Sequence, residues 1–600
     1  MTLERRNGGA QGYAMRLISN EAVAAINEPP GGRGDTCIQR WSNSSFLIVG
    51  CLLLFCFCLA TRIPLRTRLL SGWDPGQFAF AIHRFDIRKD HPQPPGYLVF
   101  VGLARMMFRL VHDDNLALTT LAALFSALSA VLVFLLAFAM YDRRTALLAS
   151  AVWATCPLVW YHGLVGEMYA AAGFASLATA LSVFLFLRSP SRSMAICVGG
   201  VYALAAGLRP DQLLLMAPLI LFPFWRSAAC RRLAVFALSS AVPVYLAWYL
   251  PTVASAGGYS NYARLVRNQL SEAVKTGSIF FGGSPIAHVW MLTRLVSGLA
   301  LGVLPLLIVL AIWWAMRGPS AQAGWTGWDE LLLPIVWAVP FLLFYSLIFI
   351  GRVAYCVACL PPVLLLLSRW LVLRVAGLGP ERARRFWYLM LFCLAVNAGF
   401  FFLVPRFPEP TVPAESFKLS QLVPEALNRS ILSCGYDQIR FDQSVKRRYF
   451  EEIRRLLSGD TAVVLIQLGP PDCLNARILE YYFPSAPLYT ALGVREPIPG
   501  YHRAPPLSGG SIQNQARLSK EGMGAEHGPI LAVKGDRVLL LHAKSLQVEM
   551  KATNGSALKI VTGDRDDRSD IYQVYVLRLT PTSLIDVSSG GKTVSIVERP

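Results

Sequence analysis

The chain has 600 residues, of which 54% are hydrophobic and only 16% charged, and its mean hydropathy is +0.45. Soluble domains carry about 25% charged residues, so this composition excludes an ordinary soluble enzyme and points to a polytopic membrane protein. The formal net charge of +19 would suit a nucleic-acid binder, but much of the excess Lys and Arg sits in short loops between apolar runs. That is the orientation signal of a membrane protein, and no nucleic-acid partner is expected.

In chain order, residues 1–44 are polar and read as a disordered cytoplasmic tail ahead of an uncleaved signal-anchor. Apolar runs follow at 45–61, 116–140, 145–162, 168–187, 194–208, 211–225, 233–251, 291–314, 330–350, 353–373 and 386–404. Each is a candidate span. A further run, 97–111, is semi-apolar and carries Arg105 and Arg109. The basic loops at Arg143/Arg144, Arg188/Arg192, Arg226/Arg231/Arg232 and Arg369–Arg385 all belong in the cytoplasm by the positive-inside rule. Each successive pair of loops is separated by an even number of candidate spans. A crossing at 97–111 would break that parity, so this run is expected as a juxtamembrane or re-entrant helix at the outer surface.

The expected fold is therefore a polytopic all-α membrane protein of about eleven transmembrane helices over 45–404. Pro405, Pro408, Pro410 and Pro413 mark a linker into an extracytoplasmic soluble α/β domain, 405–600. There "QSVKRRYFEEIRRLL" reads as a helix. The runs "TAVVLIQL", "RVLLLH", "IYQVYVLRL" and "TVSIV" read as strands, mostly β from about 530.

The acidic groups gather at the outer face: Asp74, Asp86, Asp90, Asp113, Asp114, Glu167, Asp211 and Glu272, with His91 beside them. Ionisable groups near a membrane point to function by default, and a transporter would place them near the midplane instead. The first outer loop holds "SGWDPGQFAFAIHRFDIRKDHPQPPGY", 71–97. Asp74-Pro75 fits a helix N-cap followed by Pro at the first helical position. Phe78, Ile82 and Phe85 recur at one-face spacing, which predicts a short amphipathic helix over 75–86 on the membrane. Asp74 is then either a simple cap or a carboxylate held for catalysis. In "HPQPPGY" three prolines in four positions make a rigid corner that fixes His91.

Eight of the twelve cysteines lie in or beside apolar runs, where Cys packs as a small hydrophobe. Cys356 and Cys359 have CxxC spacing but no second pair nearby. Cys434 and Cys473 could bridge if their region is extracytoplasmic.

A first span followed by "WDPGQFAFAI", "FD", "HPQPPGY" and a juxtamembrane helix resembles the first outer loop of the C-type (GT-C) membrane glycosyltransferases that use polyprenyl-phosphate sugars. The protein O-mannosyltransferases and aminoarabinose transferases belong to that superfamily. "GEMYA" supplies Glu167 as the second outer acidic residue that members often carry. "GLRPDQLLL" at 207–215 is similar to their Gly-Leu-x-Arg-Pro-acidic turn, and "GRVAYCVACLPPVLLLL" at 351–367 to their late span. The likeness covers roughly 45–404. Many members have two adjacent carboxylates where this chain has Asp74 followed by Pro75, which puts a divalent metal in doubt.

The resemblance implies inverting transfer of a sugar from a polyprenyl-phosphate donor, at the outer face of the membrane, to an acceptor that is a protein, a lipid or a glycan. That outer face is periplasm or endoplasmic-reticulum lumen, and the high Arg content with no recognisable retention signal favours a bacterial inner membrane. Asp74 would be the general base. His91, Glu167, Arg209, Arg352, Arg84 and Arg88 would bind donor or acceptor. Each has a plainer reading: Arg209 snorkelling and paired with Asp211, Arg352 as an interfacial anchor, Glu167 solvated at a span end. A lipid-linked glycan flippase, a polymerase- or ligase-type enzyme, and a non-catalytic scaffold are the alternatives. Loop 252–290, with Tyr259, Tyr262, Arg264, Arg267 and Glu272, is long enough to cover the donor or admit the acceptor.

Overall fold

The computed structural model describes residues 44–315, 328–349, 353–405, 419–432, 434–457, 461–466, 474–486 and 488–490, and from 530 onward the strand segments named below. The tail 1–43, Arg352, Cys473 and most of the proline linker lie outside the described residues.

All the apolar runs are helical. They form α1 (Ser44–Arg62), α4 (Asp114–Met140), α5 (Arg143–Thr155), α6 (Pro157–His162), α7 (Tyr169–Arg188), α8 (Arg192–Leu208), α9 (Ala217–Arg226), α10 (Ala234–Ser255), α12 (Pro285–Gly302), α13 (Leu304–Ala315), α14 (Trp328–Leu343), α15 (Cys356–Ala376) and α16 (Pro380–Leu403). Between them lie α2 (Trp73–His83), α3 (Leu98–Val111) and α11 (Tyr259–Gly277). Among the described residues, seven helices are long and apolar enough to cross a membrane, or eight if the bent pair α12–α13 is one span. The protein is a multi-pass membrane protein; the count of eleven still rests on loop charge.

The departures from simple spans have local causes. Run 145–162 breaks at Cys156-Pro157, because Pro has no N–H to continue the ladder. The carbonyls exposed there are satisfied from other helices: Arg62 donates to Ala154 O at 2.7 Å and Asn397 to Thr155 O at 3.0 Å. Irregular backbone at membrane depth is tolerated only when re-satisfied in this way. Between α12 and α13 the chain turns by 77°, where Gly302 ends one helix and Pro305 lies in the first turn of the next. The expected juxtamembrane run forms α3, whose 14 residues reach about 21 Å at 1.5 Å per residue, short of the ~30 Å hydrocarbon core.

Charges that parity assigned to one side meet at one end. Asp142 caps α5 through Thr145 N (2.8 Å) and pairs with Arg369, whose other arm lies 3.9 Å from Glu330. Asp74, Glu167, Arg209 and Asp211 belong to the other end.

Beyond the linker stand α17 (Leu419–Leu432), α18 (Tyr436–Leu456) and α19 (Ala476–Tyr482), with strands β1 (Ala462–Ile466), β2 (Leu488–Thr490), β3 (Ile530–Val533), β4 (Arg537–Ala543), β5 (Glu549–Thr553), β6 (Ser556–Ile560), β7 (Tyr572–Arg578), β8 (Leu584–Ser589) and β9 (Lys592–Glu598). They make a five-stranded sheet, β2-β1-β4-β7-β6, and a four-stranded one, β3-β9-β8-β5. The α/β and β sections are not consecutive blocks, since β1 pairs in parallel with β4, Val463 opposite Leu539. Cys434 is buried and unbridged.

The closest helix crossing is α8 on α10. A Cβ added at Gly199 would lie 2.0 Å from Ala237 O and 2.5 Å from Ser240 Oγ. Ser240 Oγ donates to Ile196 O at 2.7 Å and Trp248 Nε1 to Ala203 O at 2.9 Å. Small residues that let backbones touch, with polar side chains bonding across, are how membrane helices associate. Gly199→Val is therefore expected to wedge the pair apart and to cost about 1–3 kcal/mol or more, read as a lower unfolding midpoint of the purified protein in detergent, with Gly200→Val, whose Cβ would meet nothing within 4 Å, as the neutral control.

Candidate active site

Asp74 lies in the first turn of α2, not at its cap. The cap is Gly72, whose φ of 83° suits glycine. The helix therefore starts earlier than expected and ends at His83, short of Asp86. It does not simply rest on a membrane surface either. Phe78 packs edge-on against Phe100 (4.8 Å) and Tyr97 (5.6 Å) of the α3 region. Arg105 of α3 caps the helix end, donating to Ile82 O and Ala81 O at 2.8 Å each; a cation at a helix C-terminus is stabilising. The semi-apolar run with its odd arginine is thus the cradle of the Asp74 helix.

Tyr97 is buried, and that burial raises its phenol pKa. The Arg209 charge opposes the rise, while Asp74, Asp211 and Tyr355 add to it. One side chain thus feels the first outer loop, the α8–α9 turn and the start of α15 together.

Arg209 is the centre of this region. It is buried, with Nε donating to both Asp211 oxygens at 3.0 and 2.8 Å. Tyr345 OH donates to Asp211 Oδ2 at 2.7 Å. The guanidinium carbon lies 4.8 Å from the centre of the Tyr355 ring and 5.1 Å from that of Tyr169. Burial disfavours the cation, but Asp211 and the tyrosines hold it firmly charged. Its Nη1 has no hydrogen-bond partner among the described residues. His162 packs against Tyr169 at 5.1 Å and its Nδ1 lies 3.0 Å from Glu167 Oε2, so Glu167 joins the same aromatic wall. His162 Nε2 is likewise buried and unpartnered among the described residues.

The other expected ligands are not brought here by any contact among the described residues. Arg88 is spent on Asp86, at 3.0 and 3.1 Å, and Arg84 is exposed. His91 exchanges two backbone bonds with Asp86 (2.7 and 3.1 Å) and stacks on Phe80 at 4.6 Å. The corner holds it as expected, with His91-Pro92 and Pro94-Pro95 both cis. Among the described residues, no group of three or more His, Cys, Asp or Glu side chains is placed to hold a metal ion. Loop 252–290 contains the helix α11, tied to the corner by Tyr262 OH donating to Pro95 O at 3.1 Å.

No protein-family model matches the chain. It is 25% identical over 397 residues to the undecaprenyl phosphate-alpha-4-amino-4-deoxy-L-arabinose arabinosyl transferase of Pectobacterium atrosepticum, covering 60% of this chain and 66% of that one. The transferase of the same name from Pectobacterium carotovorum is 25% identical over 362 residues, 55% of this chain and 59% of that one. The chain spans less than two thirds of the length of these curated relatives. Among solved structures, ArnT from Cupriavidus metallidurans, bound to undecaprenyl phosphate, superposes with a TM-score of 0.50 at 14% identity, over 89% of this chain and 98% of that one. The chain shares the overall fold of that solved structure.

Within that fold, the sequence singles out Asp74, Arg209 and Glu167 but not the His162, Tyr169, Tyr345 and Tyr355 packed around them. Tyrosines near span ends look like an interfacial belt, and nothing in their spacing says that four helix ends will turn them onto one arginine.

His91 gives a pH test. Burial, and then the Arg477 charge, pull its pKa from 6.5 down to about 4. The unfolded chain takes up this proton near pH 6.5 while the folded one resists until about 4, so His91 has no effect above 6.5 and weakens the fold as pH falls through that window. His91→Gln is expected to flatten part of the fall in unfolding midpoint between pH 7.5 and 5, measured in detergent.

Proposed function

We propose that the chain moves a sugar from a polyprenyl-phosphate donor to an acceptor hydroxyl, at the membrane end where Asp74 and Arg209 both act on Tyr97, on the periplasmic side. The observation that carries this reading is the buried Arg209, paired on one edge and bearing an unpartnered Nη1 on another. Such a cation suits a lipid phosphate, since a guanidinium fork donates to phosphate oxygens more strongly than a neutral group does.

In this mechanism the acceptor oxygen attacks the anomeric carbon as the carbon–oxygen bond to phosphate breaks. Asp74 takes the acceptor proton as general base. The electron pair leaves on the polyprenyl phosphate, whose growing charge Arg209 stabilises, and the anomeric configuration inverts. Tyr97, between the two, is held protonated and can donate a hydrogen bond. Glu167, oriented by His162, faces the acceptor. Arg352 lies outside the described residues and keeps its proposed role at the phosphate. His91, Arg84 and Arg88 are proposed to act only at the rim of the first loop. The acceptor is a hydroxyl on a protein, lipid or glycan, and the donor to try first is the one in the curated relatives' name, undecaprenyl phosphate-linked 4-amino-4-deoxy-L-arabinose.

The test is sugar transfer in purified membranes with radiolabelled polyprenyl-phosphate sugars. Asp74→Asn is expected to lower kcat by about 100-fold or more, the scale of general-base loss, with donor KM little changed. Arg209→Met should raise donor KM and lower kcat together. Full activity of Asp74→Asn would sink its role and make Glu167→Gln the next variant. No turnover of any donor by wild type, with lipid-linked glycan stranded on one leaflet when the protein is absent, would favour a flippase.

A further inference from the structure

The short helix α19 comes from a part of the chain about 400 residues beyond the first outer loop, yet it is packed directly on α2. Gly76 is the seat: a Cβ there would stand 3.3 Å from Arg477 Cβ and 3.6 Å from Arg477 C. Arg477 is fully buried. Its Nη1 donates to Glu480 at 2.9 Å, and its Nη2 donates to Lys89 O at 3.1 Å and lies 3.5 Å from Asp90 Oδ2. Its guanidinium carbon lies 5.7 Å from the Trp73 ring centre. One side chain therefore touches the residue before Asp74 and the 89–90 turn that leads into the His91 corner.

The rest of the helix grips the same loop elsewhere. Tyr481 OH donates to Asp114 Oδ2 at 2.6 Å, the oxygen that His83 Nε2 also meets at 2.9 Å. Tyr482 OH accepts from Leu70 N at 2.9 Å. Gln443 of α18 accepts from Arg68 N and Leu69 N at 3.0 and 2.9 Å. The first outer loop is thus pinned by the C-terminal region on both sides of Asp74, and Arg477 packs on Trp73 and Gly76, which flank the Asp74-Pro75 step.

We propose that Arg477 is a positioning residue for Asp74: from the C-terminal region it fixes the first turn of α2 so that the carboxylate meets the acceptor. A buried guanidinium is costly to unpair, and beside Glu480 of its own helix the partners of Arg477 are the Lys89 carbonyl and the Asp90 carboxylate of the loop. The cost of unpairing the cation therefore resists any drift of the Trp73–Asp74 turn. A carboxylate displaced by about 1 Å loses on the order of 100-fold in rate, which gives a distal contact its leverage. The catalytic consequence rests on the function proposed above; the positioning itself does not.

Two measurements on the full-length protein test it. In the transfer assay, Arg477→Met is expected to lower kcat at least 10-fold while donor KM stays within 2-fold, and Arg477→Lys to recover part of the loss. Tyr482→Phe loosens the same helix away from Asp74 and should change kcat less than 3-fold. The second needs no activity: the rate at which a membrane-impermeant maleimide modifies an Asp74→Cys variant, corrected for the native cysteines. Adding Arg477→Met should raise it at least 5-fold, and adding Tyr482→Phe should not. An unchanged labelling rate overturns the proposal, as does a kcat loss equal in Arg477→Met and Tyr482→Phe. Wild type that turns over no donor while the labelling rate still rises would overturn the transferase reading alone.

Discussion

A buried guanidinium is strongly destabilising unless its charge is balanced, and Arg209 is where this constraint organises the molecule. Asp211 neutralises it, Tyr345 holds Asp211, and the faces of Tyr169 and Tyr355 enclose the cation. These groups come from the α8–α9 turn, the end of α14, the start of α7 and the start of α15. Their meeting fixes how four helix ends converge. Nη1 is left without a partner among the described residues, which is why the proposed phosphate site falls at the same cluster that holds the end of the bundle together.

The same logic explains the broken helices. A span interrupted at Pro157 exposes carbonyls that water cannot reach, and Arg62 and Asn397 supply the missing donors. The break lets the chain turn into the His162–Glu167 segment, which places Glu167 beside the Arg209 cage. At the opposite end Arg369, Asp142 and Glu330 form a second charged knot. Two knots, one at each end of an apolar bundle, hold the helix ends in register where hydrophobic burial between lipid-like surfaces gives little direction.

Some of the site was legible from residue types. Asp74 after the first span, Arg209 before Pro210, and Glu167 at a span end stand out because charge is rare in this chain. The parity of basic loops put all three at one end, where Arg209 and Asp74 both act on Tyr97. The start of α2 was misread because Asp-Pro fits a cap so well locally; Gly72, with its positive φ, takes that role instead. His91, Arg84 and Arg88 were grouped with the site because they share its loop, whereas the loop turns them toward Phe80, solvent and Asp86.

The amino-acid sequence by itself determined that this is a multi-pass membrane protein, and it singled out the rare charged residues between its apolar runs, Asp74 among them. These follow from local quantities, hydropathy and charge, summed over short windows. Only the tertiary structure decided that Tyr169, Tyr345 and Tyr355 gather around Arg209 and Asp211, that Arg105 caps α2, and that Arg477 reaches back to grip the loop bearing Asp74. Those contacts join residues tens to hundreds of positions apart, and their energies depend on burial and direction, which no window of sequence contains.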